Sequence, residues 1–174
     1  MRHYYKRILT FCTLIFIVIG CQSSLTNADG DTEFAKLASE GEKVSFNDVT
    51  LTKGISGNTG LDEQSYAIRS RAELEDVWQK LYAHVDTAPD LPEVNFNSRM
   101  VIGLHSDTKS SGGYAVKITD IVRANGELAV RVDQTAPGSD CSTTTALGTP
   151  YHFITVPKAD ASVAFYKYEN QQDC

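Results

Sequence analysis

Outside the first twenty residues, the side chains able to do chemistry are few and far apart. His84, His105 and His152 fall in different segments with no His-Glu-x-x-His or His-x-His spacing, so local geometry sets no group of ligands around a metal ion. His105 and Asp107 are the single near pair, at the end of an apolar run. No Gly-x-Ser-x-Gly elbow is present to lift a serine nucleophile out of a strand, and Gly57-Asn58-Thr59-Gly60 is too short to cradle a phosphate. The expectation is a protein with no catalytic residue, no metal and no cofactor. The rival within the enzyme class is a hydrolase with a dispersed active site built on His105 or His152.

The cysteines carry more. Arg2, Lys6 and Arg7 precede the apolar run from Ile8 to Ile19, a basic segment followed by about a dozen apolar residues, as in a secretory signal. A spanning helix needs about 20 apolar residues to cross ~30 Å of hydrocarbon, and this run stops at Gly20. Val18-Ile19-Gly20-Cys21 is similar to a bacterial lipobox: an aliphatic residue three before the cysteine and a small one directly before it. In proteins with that motif the signal is removed and the cysteine is acylated. Residues 1–20 are therefore read as a lipoprotein signal and Cys21 as the lipidation site; an ordinary signal peptide ending near a cysteine is the alternative. Each buried CH₂ contributes roughly 0.8 kcal/mol, so several acyl chains on Cys21 would hold the chain on a membrane nearly permanently. Gln22 is not the aspartate that retains lipoproteins at an inner membrane, which favours the outer membrane of a two-membrane envelope. Cys12 would leave with the signal, and Cys141 and Cys174 would remain as an even pair. In an oxidising envelope a disulfide between them is expected, with free thiols or pairing to another protein as alternatives.

The chain has 174 residues, 41% hydrophobic and 22% charged, which suits one globular domain with short extras. Its 16 Lys+Arg stand against 22 Asp+Glu, a formal charge of -6 that repels phosphate backbones and argues against nucleic-acid binding. Without residues 1–20 the balance is 13 basic against 22 acidic residues, a net charge of -9.

The elements that would position these residues begin after a tether. Residues 21–43 read as the lipidated cysteine and a flexible linker, with at most one helical turn at Phe34–Leu37; a coil of that length spans roughly 25 Å. Residues 44–174 read as one domain. Val44, Phe46, Val49 and Leu51 form a strand or a short bulged hairpin, Gly54, Gly57 and Gly60 punctuate a loop, and Tyr66 and Ile68 belong to a second strand. Ser70-Arg71-Ala72-Glu73 fits a capping box, and Leu74, Val77, Trp78, Leu81, Tyr82 and Val85 recur on one face of a helix of about fifteen residues. Met100–Leu104 is a buried strand. Tyr114 to Val122 and Leu128 to Val132 flank the hairpin turn Asn125-Gly126, and strands follow at Tyr151–Val156 and Val163–Tyr166. The predicted class is α+β: a mostly antiparallel sheet of about six or seven strands packed on one main helix.

The order of these blocks resembles the C-terminal domain of the protease complex subunit PrcB family, found in bacterial surface lipoproteins. The resemblance rests on Ala72-Glu73-Leu74 with Trp78 and Leu81, on Val94-Asn95-Phe96 leading into Met100–Leu104, on Ser111-Gly112-Gly113-Tyr114-Ala115-Val116-Lys117-Ile118, and on Thr149-Pro150-Tyr151-His152-Phe153-Ile154-Thr155-Val156-Pro157, about residues 65–157 in all. Position 111 is Ser where the family often has Thr. The resemblance implies no catalysis. It implies a role in the assembly or stability of a partner such as a protease. The residues themselves, read physically, make Ser111, Gly112, Gly113, Tyr114 and Tyr151 the candidate partner contacts. Gly112-Gly113 permits positive φ or a close chain approach, and Tyr114 offers a ring with a polar tip; a tight turn into a strand is the structural alternative. A protease inhibitor acting through the Gly-rich loops Gly54–Gly60 and Ser110–Gly113 is the second functional reading.

Overall fold

The computed structural model describes residues 28–49 and 54–174. The signal segment, Cys21, the first part of the expected tether and Leu51 lie outside the described residues. In chain order the elements are α1 (Ala28–Glu40), β1 (Glu42–Lys43), β2 (Asn47–Asp48), β3 (Gly54–Ser56), β4 (Gln64–Ile68), α2 (Arg71–Leu81), β5 (Arg99–His105), β6 (Ala115–Ala124), β7 (Glu127–Pro137), β8 (Gly148–Pro157) and β9 (Ser162–Gln172). Among the described residues no helix is long and apolar enough to cross a membrane.

The strands form two sheets, not one. Sheet I has the order β1-β6-β7-β9, with β9 parallel to β7 and the other pairs antiparallel. Sheet II has the order β2-β8-β5-β4, and β3 adds to β8 further along the edge that β2 occupies. The sheets face each other across a core of Val116, Ile118, Ile121, Leu128, Val130 and Val132 from sheet I and Met100, Ile102, Leu104, Ile154 and Val156 from sheet II. A bulge between Ile118 and Asp120 shifts the side-chain alternation by one residue, which is why Val116 and Ile118 face inward before it and Ile121 after it.

Each sheet also buries its outer face, and this is where the single-sheet expectation fails. Val101, Tyr151 and Phe153 on the far side of sheet II pack under Leu74, Val77, Trp78, Leu81 and Tyr82. Val122, Ala129 and Tyr168 on the far side of sheet I pack under Phe34 of α1. Strands apolar on both faces can build one sheet or two, and their local pattern is the same in either case. The segment at residues 42–48 joins the layers: β1 pairs with β6, β2 with β8, and Val44 between them enters the core.

The helices differ from expectation in opposite directions. Residues 28–40, assigned to the tether, are a 13-residue helix, and Phe34 is its buried anchor beside Tyr166 and Tyr168, with ring centroids 5.7 and 6.4 Å away. The helix α2 has 11 residues rather than fifteen, because the chain leaves helical geometry at Tyr82, although Tyr82 and Val85 stay packed on the same cluster. Its start follows the capping box with one change. Ser70 Oγ accepts from Glu73 N at 3.2 Å, while Glu73 Oε2 accepts from Arg69 N at 2.7 Å, one residue before the serine amide expected. Trp78 is a core side chain whose Nε1 donates to Pro89 O at 3.0 Å. The turn at Asn125-Gly126 has φ of 52° and 80°, both positive as a two-residue hairpin with the native strand twist requires.

Under α2 the hydroxyls of Tyr82 and Tyr151 are 2.7 Å apart. Burial, reinforced by that contact, pushes the Tyr82 phenol well above its ordinary range. The unfolded chain therefore releases this proton near pH 10 while the folded chain keeps it, so the stability it supports is complete below pH 10 and is lost as pH rises beyond. Denaturant midpoints should fall faster between pH 10 and 11.5 in the wild type than in Tyr82→Phe; equal slopes would assign the alkaline loss elsewhere.

Candidate functional site

The loops singled out in the sequence meet at one end of the sandwich, around the start of β8. β3 pairs with Gly148–Pro150 on one side. On the other side Lys109 and Gly148 exchange two backbone hydrogen bonds of 2.8 and 3.1 Å, and Ser106 N donates to Pro150 O at 2.9 Å. Gly57 N reaches Leu147 O at 2.9 Å and Gly112 N reaches Thr144 O at 3.0 Å. Three segments distant in sequence, 54–60, 106–114 and 141–150, are thereby tied into one surface.

A cluster of threonine hydroxyls locks the junction. Thr59 Oγ1 and Thr149 Oγ1 are 2.9 Å apart, Thr108 Oγ1 lies 3.1 Å from Thr149 and 3.3 Å from Thr59, and Thr108 donates outward to Asn58 Oδ1 at 3.2 Å. A hydroxyl is both donor and acceptor, so three of them close a network that charged groups could not close without repulsion. Thr149 is fully buried. Thr149→Val keeps the shape and removes the central hydroxyl, so it should cost about 1–3 kcal/mol. Hydrogen exchange should then speed up at residues 57–60 and 108–112 together, and exchange that stays unchanged would show that the loops are held by their backbone pairs alone.

Tyr114 stands half-buried between two shallow clefts. One of about 240 Å³ opens at the mouth of the sandwich and is lined by Ser106, Lys109, Gln134, Pro150, Glu169 and Asn170. The other, of about 270 Å³, runs past Ile55, Ser111, Gly112, Leu147 and Pro150. Lys109 belongs to both; its ammonium sits 5.5 Å above the Tyr114 ring and 2.5 Å from Asp107 Oδ1. The wall of the first cleft is clipped by Glu63, which takes hydrogen bonds from Lys167 of β9 and, at 3.0 Å, from Gln134. Burial alone would raise the Glu63 carboxyl, but those two hydrogen bonds overcome it and hold the group below the ordinary carboxylate range.

The candidate residues sort clearly. Ser111, Gly112 and Tyr114 line the clefts, and Gly113 borders a third of about 230 Å³ beside Pro137 and Thr143. Both glycines serve the chain's own packing: a Cβ on Gly112 would lie 2.7 Å from Thr144 Oγ1, and Gly113 has φ of +90° with Pro137 Cβ 3.0 Å from a Cβ placed there. The close approach their pairing permits is thus to residues 137–144. Tyr151 does not join this surface. It points to the α2 side of β8 and is fully buried, so it offers nothing to a partner. Cys141 and Cys174 form a disulfide with Cα atoms 5.1 Å apart, pinning the end of β9 to the edge of the third cleft. Lys109, Thr108 and the exposed residues 142–147 were not singled out by sequence, and the motifs that contain Thr59 and Thr149 do not link their hydroxyls; only the density of Ser, Thr and Gly in the two loops signals them.

The histidines are dispersed over separate environments. His105 is buried on the α2 side of β5; its Nδ1 lies 2.9 Å from Ser106 O and its Nε2 lies 2.9 Å from Tyr66 Oη, so both ring nitrogens are engaged. Asp107 pairs with Lys109 and not with His105. His152 is buried in the core between the sheets, where Nδ1 accepts from the Ile118 amide at 2.9 Å and Nε2 faces Asp48 Oδ1 at 3.1 Å. It thus satisfies the backbone donor next to the β6 bulge. His84 is exposed beyond α2. No group of three His, Cys, Asp or Glu side chains able to hold a metal occurs among the described residues.

No curated protein and no solved structure matches the chain. The matched family segment begins at β5 and excludes β4 and α2, so the resemblance of Ala72–Leu81 lies outside it. Residues 100–157, which supply the two central strands of sheet II, the hairpin of sheet I and two of the three segments around the clefts, match the family described as PrcB C-terminal.

Proposed function

We propose that the protein is a lipid-anchored, non-catalytic protein-binding module of the cell envelope that serves as an accessory subunit of a protease complex. The observation that carries the reading is that the PrcB C-terminal match takes in two of the three segments that converge around Tyr114 and Lys109, 106–114 and 141–150. The surface fits binding better than turnover: its polar side chains are hydroxyls, the amides of Gln134 and Asn170, Lys109 and Glu169, and the rings of His105 and His152 are engaged elsewhere. Val18-Ile19-Gly20-Cys21 supports the anchor, and Gln22 favours the outer membrane. The site faces a protein or peptide partner; the acidic balance argues against nucleic acid.

The test is purification of the tagged full-length protein from its own membranes after mild cross-linking, with mass spectrometry of what travels with it. A single envelope protease in near-equal amount is expected, and Cys21→Ser should move the protein to the soluble fraction. A partnerless monomer would reject the accessory-subunit reading, and a Cys21→Ser protein still in the membrane would reject the anchor.

A further inference from the structure

Between the disulfide and β8 run six exposed residues, Ser142-Thr143-Thr144-Thr145-Ala146-Leu147. Leu147, at 45% exposure, is the large hydrophobic side chain that the described surface leaves open. No amide of the six donates a hydrogen bond among the described residues, although the segment is held at both ends and in the middle: by Cys141–Cys174, by Gly57 N on Leu147 O, and by Gly112 N on Thr144 O. It carries no charge in a chain of net charge -6.

From these features we infer that residues 142–147 are a substrate-like loop that enters the active-site groove of an endopeptidase whose primary pocket takes small uncharged side chains. This deepens, and in its choice of partner rests on, the protease-complex reading above. Peptide grooves bind an extended chain mainly through its backbone groups, and free amides on a pinned, exposed segment are what such a groove pairs with. Anchoring at three points means that little ordering is left to be done on binding. Ser, Thr and Ala suit a small primary pocket, whereas a pocket for aromatic or basic residues would go unfilled. The disulfide straddles the segment. If water adds across one of its peptide bonds, leaving a carboxylate on the upstream piece and an ammonium on the downstream one, Cys141–Cys174 still joins the pieces. β8 and β9 remain paired to β5 and β7, so the cut loop is not released.

The experiment uses the full-length protein in detergent, with pancreatic elastase as the small-pocket probe and chymotrypsin as the large-pocket control, each assayed on a short peptide anilide. Excess protein should slow elastase competitively by about tenfold and leave chymotrypsin unchanged, and Ala146→Glu should abolish the effect. Any slow cleavage product should map within 142–147, migrate as one species without reductant and split in two with it. Undiminished elastase activity, a first cut outside 142–147, or inhibition that survives Ala146→Glu would overturn the inference; the cleavage map is read on the wild type and does not depend on the variant folding. Failure here with an envelope protease still co-purifying leaves the accessory reading standing, whereas elastase inhibition with no co-purifying protease removes that reading and keeps the loop.

Discussion

Gly103→Ala is expected to be among the most damaging single-methyl additions to this protein. Gly103 lies directly opposite Phe153 in the β5–β8 register, and a Cβ at position 103 would stand 2.0 Å from Phe153 Cδ1 and 2.4 Å from Cε1. The ring has nowhere to go: Tyr66, Trp78 and Tyr151 surround it at centroid distances of 5.9, 6.5 and 5.7 Å. Overpacking of this kind costs roughly 1–3 kcal/mol and more where neighbours cannot move, so the upper end applies. Phe153→Ala removes the ring instead and should cost about 3–5 kcal/mol. The two changes should be strongly coupled. With the ring gone, the added methyl falls into the space it left, and Gly103→Ala should then be nearly neutral or slightly favourable. Urea unfolding of the four proteins in the cycle measures this directly. Additive costs would mean that the Phe153 ring does not occupy the space above Gly103.

The second large effect concerns the disulfide. Cys141 and Cys174 are separated by 33 positions, and closing a loop of that size contributes roughly 3 kcal/mol through the unfolded chain. The bridge also holds the far end of β9, the parallel edge strand whose last pairs are Ala136 with Gln171 and Pro137 with Gln172. Cys141→Ser with Cys174→Ser should lower the thermal midpoint by roughly 10 °C, as should reduction of the wild type. Amide exchange should rise at residues 168–172 and across the hydrogen bond from Gly138 N to Gln172 O. A double variant that melts with the wild type would show that β9 is held by its strand pairing alone.

What was legible in the sequence was local. The capping serine and the apolar stripe place α2, Asn125-Gly126 places the β6–β7 hairpin, and the unbroken run at Met100–Leu104 places a buried strand. What was hidden depended on partners far along the chain. The helix α1 has few apolar residues, and its place is decided by Tyr166 and Tyr168, more than 120 positions away from Phe34, so its segment resembled a tether. The division into two sheets was hidden because β5 and β8 are buried on both faces, leaving no alternation to mark an outside. The same property misplaced Tyr151: on a strand with no exposed face, a tyrosine beside a proline looks available and is not. The threonine cluster joins positions 59, 108 and 149, each unremarkable in its own stretch, and only the long-range pairing of β3 and residue 109 with β8 brings their hydroxyls within hydrogen-bonding reach.

The central claim is that the loop end of the sandwich is the surface that meets a protein partner. Hydrogen exchange on the complex recovered from cross-linking-free purification, compared with the same full-length chain alone, tests it most directly. The account predicts slowed exchange in 54–60, 106–114 and 142–148 and little change in α1, α2 or β9. Protection confined to α1 or to the β9 edge, with those three segments unaltered, would contradict it.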